Sequence, residues 1–349
     1  LAKRLKERRG DLDWDLVLTY IAPMTLLHIR QGEPVYELGG EPEIMKLNYL
    51  LYPLLESGQA TTLYAPGGST KSYIAALIAI AVQYYIPVLS GQWKPSKQAN
   101  ALLLDWESTR EGHNRRVWAI KKGLGITNAL GRILYRRCYL PLCDELPAIL
   151  KIISENNIQL VIVDSETPAC GYGPDAGQVA SIFFNAVRLL GCTVLIIDHM
   201  SKADTKTEDD TGPINSVVKF NRSRLVFSLK KTQEANSDTV FLRLKHTKHN
   251  EGRLLDDLGI KVRFFETVDG ILEKVEFTTC ELSEIENIMP KGANIAEKIL
   301  DYLNDNVLHE LDTIPKAVGV SKDVVKKELT KLKDKGLVDN PERGKWKKL

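Results

Sequence analysis

The sequence predicts an α/β protein: a mostly parallel sheet covered by helices on both faces, an antiparallel extension, and a small C-terminal module. Three observations lead there. Between residues 46 and 230, short continuous apolar runs alternate with helical patterns, as strands buried on both faces do. Residues 239–277 switch to alternating apolar and polar side chains, in TVFLRLKHTK, IKVRFFE and ILEKVEF, the period of antiparallel strands. A break at Met289-Pro290-Lys291-Gly292 then separates this pattern from a short, wholly different one.

In chain order, residues 1–45 read as a helical lead-in or linker. The opening LAKRLKERRG carries Lys3, Arg4, Lys6, Arg8 and Arg9 against a single acid, Glu7. It suits a solvated helix packed on the main domain, or equally a subunit-linking or DNA-facing arm. Residues 46–288 form the main domain, with strands expected at Thr62–Tyr64, Ala101–Asp105, Ile133–Tyr135, Leu160–Asp164, Thr193–Asp198 and Arg224–Leu229. Helices such as Glu145–Glu155 and Gly177–Leu190 connect them. Residues 289–349 make a second, small domain. A helix at Ala296–Leu303 and a short one at Leu311–Val318 precede a longer helix opening at Ser321, with Asp323 in its first turn. The longer helix stops before Gly336, and LVDNPERGKWKKL reads as strand–turn–strand. That is a helix-turn-helix followed by a wing.

Composition narrows the class. Of 349 residues, 44% are hydrophobic and 26% charged, a globular balance that excludes a disordered chain. Lysine and arginine number 47 against 45 acids, a net charge of +2, so any nucleic-acid surface is local rather than global. Cys138, Cys143, Cys170, Cys192 and Cys280 are odd in number and form no CxxC pair. They read as buried free thiols of a reducing, cytoplasmic compartment. The longest apolar stretch, Tyr73 to Leu89, is interrupted by Gln83 and Pro87 and is too short to span a membrane.

The chemistry concentrates at Ala65-Pro66-Gly67-Gly68-Ser69-Thr70-Lys71-Ser72, which follows the strand TTLY and opens the helix SYIAALIAIAVQ. A triphosphate site asks for this arrangement: backbone N–H groups and a helix N-terminus aimed at the anion, a lysine for the terminal phosphates, a hydroxyl for Mg²⁺. Lys71 and Ser72 fit the last two roles, implying ATP and Mg²⁺. Ala65 and Thr70 stand where GxxxxGK[ST] has glycine, and a Cβ at either position restricts the backbone. The bland alternative is a glycine-rich strand-to-helix turn.

Downstream, LVIVDS ends an apolar strand in Asp164, placed to hold the Mg²⁺ shell beside Ser72. A second acid follows the strand of LLLDWES: Glu107 is the candidate to polarise an attacking water, because Asp105 still belongs to the strand. Either acid alone also reads as a helix N-cap.

The order APGGSTKS, LLLDWES, LVIVDS, TVLIIDHMSK and FLRLKHTKHNEG resembles the RecA-like ATPases of the plasmid RepA-type hexameric helicases, related to the DnaB type. The resemblance covers residues 46–265. It implies that Lys71 and Ser72 bind phosphate and metal, that Glu107 is the catalytic base, and that Asp164 is the metal carboxylate. His199 matches the sensor of the γ-phosphate state. The segment Ser201–Asn215 falls where such helicases line a central channel for single-stranded DNA, with Lys202 and Lys206 as phosphate contacts. Lys248, and after it Lys245, match a basic element that reaches a neighbouring subunit's nucleotide, which implies a ring, normally a hexamer. Arg222 or Arg224 adds to that element. Residues 320–349 carry ten basic and five acidic side chains. Lys326, Lys327, Lys331, Lys345 and Lys347 are the candidate contacts to duplex DNA, with a replication protein as the other partner, over a buried face of Val324, Val325, Leu329 and Leu332. A lysine-rich solvated helix is the plain alternative, and Trp346 either stacks on a base or anchors the wing. The expected function is an ATP-dependent DNA helicase or translocase in the replication of a mobile element. A nucleotide-switched DNA-binding regulator or loader is the alternative, and a RecA-type recombinase a third.

Overall fold

The computed structural model describes residues 2–31, 47–127, 133–200, 217–234, 236–287, 295–304, 307–318, 320–342 and 344–348. Backbone proximity divides the chain into two units, Leu1–Leu47 and Asn48–Leu349. The first holds α1 (Ala2–Arg8) and α2 (Trp14–Gln31). Along α2, Leu16, Tyr20 and Met24 recur every fourth residue and are 55%, 65% and 68% exposed, an apolar stripe on one helical face.

The second unit opens with β1 (Tyr49–Tyr52) and β2 (Leu55–Glu56), then β3 (Ala60–Ala65), α3 (Lys71–Tyr84), β4 (Lys94–Pro95) and β5 (Asn100–Asp105). It continues through α4 (Arg110–Gly123), β6 (Leu134–Arg137), α5 (Leu142–Glu155), β7 (Ile158–Asp164), α6 (Glu166–Cys170) and α7 (Ala176–Leu189). Next come β8 (Thr193–His199), α8 (Val217–Arg222), β9 (Leu225–Thr232), β10 (Thr239–His249), β11 (Leu258–Glu266), β12 (Leu272–Cys280) and α9 (Leu282–Asn287).

Nine of these strands form one sheet in the order β12-β11-β10-β9-β3-β8-β7-β5-β6. From β9 to β6 all pairings are parallel, whereas β9 through β12 pair antiparallel. The parallel strands are apolar on both faces because a separate core packs on each. One face, with Leu63, Leu103, Ile162 and Leu195, meets α3 and α4; the other, with Leu102, Val161, Val163 and Ile196, meets α5 and α7. The antiparallel strands also cover α3 and α4. Val262, Val275 and Phe277 share the α3 core, Tyr73 meets Phe264 edge-on at 5.2 Å, and Gly123 lies so close to β12 that a Cβ there would sit 1.9 Å from the Val275 carbonyl oxygen. A small sheet, β2-β1-β4, has no counterpart in the sequence reading. Its strands of two to four residues are too short to show a period.

The C-terminal residues form α10 (Ile295–Tyr302), β13 (His309–Glu310), α11 (Ile314–Val318), α12 (Lys322–Asp334), β14 (Val338–Glu342) and β15 (Lys345–Lys348). The three strands pair in the order β13-β15-β14, around a core of Ile299, Leu303, Ile314, Val325, Leu329 and Leu332, with Trp346 packed against it. One residue departs from expectation: Val324 is exposed, not buried. Val325, Leu329 and Leu332 follow the i, i+4, i+7 stripe, and the preceding position turns about 100° away from it. The thiols differ too. All five cysteines are free, but only Cys138 is buried, the others being partly exposed. Among the described residues no helix is long and apolar enough to cross a membrane.

Candidate functional site

The loop 65–70 runs from the C-terminal end of β3 into α3, so the helix N-terminus faces the open end of the sheet. Thr70 caps the helix in a left-handed conformation, φ 63° and ψ 15°, beside Gly68 at φ 73°. A β-branched side chain rarely adopts that conformation, and the Thr70 hydroxyl is buried without a hydrogen-bond partner. The loop therefore keeps a glycine's backbone shape at a non-glycine position.

Lys71 bends back over the loop, donating to the carbonyl oxygens of Ala65 at 2.8 Å and Pro66 at 2.9 Å. Burial lowers its pKa to about 8 against the pull of Asp164, Glu107 and Asp198. Its Nζ lies 3.4 Å from His199 Nδ1, and His199 Nε2 lies 3.1 Å from Glu107 Oε1. One tautomer satisfies both contacts: Nδ1 accepts from the ammonium and Nε2–H donates to the carboxylate. His199 reaches this position because β8 neighbours β3 and aligns His199 with Ala65.

Glu107 also accepts from the Ser165 hydroxyl at 2.6 Å. The His199 contact first, then Ser165 and Lys71, hold its carboxyl below the usual range despite burial. The turn that presents it is built by Asp105. That fully buried carboxylate accepts the N–H groups of Glu107 at 3.0 Å and Ser108 at 2.8 Å, the Tyr135 hydroxyl at 2.7 Å and Arg137 at 3.1 Å. Burial opposes ionisation of Asp105, but these bonds and His113 outweigh it and keep the group well below its ordinary value. The N-cap of α4 is Thr109, whose hydroxyl accepts from Gly112, so Glu107 is not a cap. Nor is Asp164, which ends β7 ahead of the cap position Ser165.

Asp164 is 3% exposed, and its Oδ2 has no partner. Burial raises its pKa, and a hydrogen bond from Ser72 opposes the rise. A hydroxyl and an under-satisfied carboxylate beside a phosphate loop are a hard-oxygen donor set that fits Mg²⁺. Ser69 is buried and donates to the Pro66 carbonyl oxygen at 2.6 Å, bracing the loop.

Behind the site, Lys219 of α8 lies 3.5 Å from both Glu166 and Asp198, and the two carboxylates are wholly buried. Burial and the nearby Asp198 push Glu166 well above the ordinary carboxylate value. Ser165, Lys219 and Lys231, which reaches the Gly68 carbonyl at 3.3 Å, carry no signal in the sequence, and Asp105 is weighed there only as the strand residue passed over for Glu107. Only the strand-end position of Asp105 carried a signal there.

Other expected residues lie elsewhere. Lys248 pairs with Val226 of β9, and Lys245 with Ser228, on a strand not adjacent to β3. Lys248 Nζ donates to the carbonyl oxygens of Phe220, Asn221 and Ser223 at 2.8, 2.9 and 2.6 Å, closing the end of α8. These three bonds tie Lys248 to the backbone of its own chain. Arg224 faces Glu251 at 3.6 Å, and Arg222 reaches Ser181 at 3.3 Å. Lys202, Lys206 and the rest of Ser201–Asn215 lie outside the described residues. Lys326 and Lys327 are exposed on α12; Lys331 pairs with Glu328 and Lys345 with Glu342, both at 2.8 Å, while Lys347 is half-buried.

A mostly parallel sheet whose strand ends gather a phosphate loop, a lysine and two carboxylates defines a nucleotide-binding site of the ATPase type. Residues 31–205, half of the chain, match the family model described as AAA domain, and the chain belongs to that family. Among solved structures it is similar to a KaiC-like protein of the hyperthermophilic archaeon Pyrococcus horikoshii OT3, at 14% identity and a TM-score of 0.43. That alignment covers 65% of this chain and 94% of the other. No curated protein matches the sequence.

Proposed function

We propose that the chain hydrolyses ATP with Mg²⁺ and couples hydrolysis to movement on DNA, as a ring-forming helicase or translocase in the replication of a mobile element. The observation that carries the hydrolytic part is the chain Lys71–His199–Glu107–Ser165, which joins the phosphate-binding lysine to a carboxylate held ionised. Lys71 leaves the Ala65 and Pro66 carbonyls to meet the terminal phosphates. Ser72 and Asp164 would hold Mg²⁺, which supplies charge neutralisation on those phosphates. Glu107 orients water and accepts its proton, while Ser165 and His199 fix the carboxylate. His199 touches both the lysine and the base and lies two positions before Ser201, which favours a role as sensor of nucleotide state.

Assembly into a ring would bring Lys248, with Lys245 and Arg222 or Arg224, towards a neighbour's nucleotide. Lys326, Lys327, Lys331, Lys345 and Lys347 on the C-terminal module, read as a winged helix, suit phosphate-backbone contact more than base reading.

The deciding experiment is steady-state ATP hydrolysis with and without single-stranded DNA, with Lys71→Ala as the blank. Turnover that rises with DNA and vanishes in the variant supports the motor. Nucleotide binding with turnover no higher than the blank's overturns it and leaves the nucleotide-switched regulator.

A further inference from the structure

The cluster behind the site ties two hydrolytic elements to a third that carries no assigned chemistry. Lys219 Nζ stands 3.5 Å from Glu166 Oε1 and 3.5 Å from Asp198 Oδ2, and its side chain is only 11% exposed. Asp198 turns its other oxygen, Oδ1, to the backbone N–H of His199 at 2.8 Å and to the Thr167 hydroxyl at 3.5 Å. Glu166 lies two residues beyond Asp164 and also accepts from the Cys170 thiol at 3.8 Å. One ammonium thus bridges the end of β8, which presents His199, and the first turn after β7, which presents Asp164 and Ser165. Burying a lysine between carboxylates is poor economy for stability alone, because desolvation offsets most of the attraction. It gives direction instead, since a fixed cation leaves Asp198 one orientation.

We propose that Lys219 is a positioning residue for hydrolysis, which through Asp198 sets the His199 backbone and so the contacts of His199 with Glu107 and Lys71. This rests on the reading of Glu107 and His199 as hydrolytic residues. A displacement of about 1 Å in a reacting group suffices for a hundredfold change in rate. Lys219→Met would therefore lower kcat by about tenfold to a hundredfold. Nucleotide affinity would fall less than kcat, because Lys71 is also held in place by the carbonyl oxygens of Ala65 and Pro66.

The test measures kcat, KM and the dissociation constant of a fluorescent ATP analogue for Lys219→Met and Lys219→Arg. Both are also made in a Glu166→Gln background, which removes one of the two buried carboxylates facing Lys219, and folding of each variant is checked by circular dichroism. The expected result is a kcat loss in both Met variants without a matching loss of affinity, and recovery in both Arg variants. Wild-type kcat in the folded Met variants overturns the proposal. So does full recovery in Lys219→Met/Glu166→Gln, which would reduce Lys219 to charge compensation, or a parallel loss of affinity and kcat. Glu107→Gln separates the two readings. If it turns over like wild type, the hydrolytic reading itself fails; if it is inactive while Lys219→Met is not, only the positioning role fails.

Discussion

Thr70→Gly should stabilise the protein, although it deletes a half-buried side chain. Thr70 adopts φ 63°, where an L-residue with a Cβ is disfavoured by about 1–2 kcal/mol. Its buried hydroxyl has no partner, a further penalty of about 1–3 kcal/mol. Against these gains stand the larger chain entropy of glycine, about 0.5–1 kcal/mol, and a lost methyl group, about 0.8 kcal/mol. The balance favours glycine by about 2 kcal/mol, a rise in Tm of about 4–8 °C. Thermal unfolding of wild type, Thr70→Gly and Thr70→Ala checks the reasoning, because alanine removes the hydroxyl but keeps the backbone strain. Glycine should exceed alanine by about 1 kcal/mol. A Thr70→Gly variant that melts at or below Thr70→Ala would show that the left-handed backbone at this position carries no penalty. Nucleotide affinity should survive in both variants, since the loop shape is retained.

Three further outcomes are expected. Glu107→Gln should bind the ATP analogue as wild type does while kcat falls about 100- to 10,000-fold; single-turnover kinetics distinguish this from slow product release. Gly123→Ala, whose Cβ would meet the Val275 carbonyl oxygen at 1.9 Å, should lower stability by about 1–3 kcal/mol in urea unfolding, with α4 drawn from β12. His246, 4% exposed and stacked on Phe227, is held neutral to a pKa of about 4 by burial, with His249 nearby. The unfolded chain takes up that proton near its ordinary value of 6.5. Stability present above pH 6.5 is therefore lost progressively as pH falls to about 4, by up to about 3 kcal/mol. Urea titrations at pH 7 and pH 4.5 should show that difference shrinking in His246→Phe.

Much of this arrangement was legible because it is local. The run TTLYAPGGSTKS contains its own strand, loop and helix start, and the apolar runs ending in Asp105, Asp164 and Asp198 each announce a buried parallel strand. Strand order was not legible, since nothing in the sequence of β8 says that it lies between β3 and β7. The partners that depend on this order, Ser165 on Glu107 and Lys219 on Asp198, stayed hidden for the same reason. Val324 went wrong on a finer point, because two adjacent valines cannot both lie on one narrow helical stripe. Thr70 reads as a damaged glycine position in the sequence, and only the backbone shows that the loop holds its shape regardless.

The packing of α4 against β12 has a consequence for how the chain is made. Residues 110–123 leave the ribosome about 150 residues before their partner strand, Leu272–Cys280. Until then Ala119 and Ile120 lack Val275, and the face of α4 that β12 covers stays open. The nascent phosphate-binding half therefore waits unfinished through the synthesis of everything up to β12. A chain cut short before residue 272 would expose that face to chaperones and proteases, even with every residue of the phosphate loop in hand.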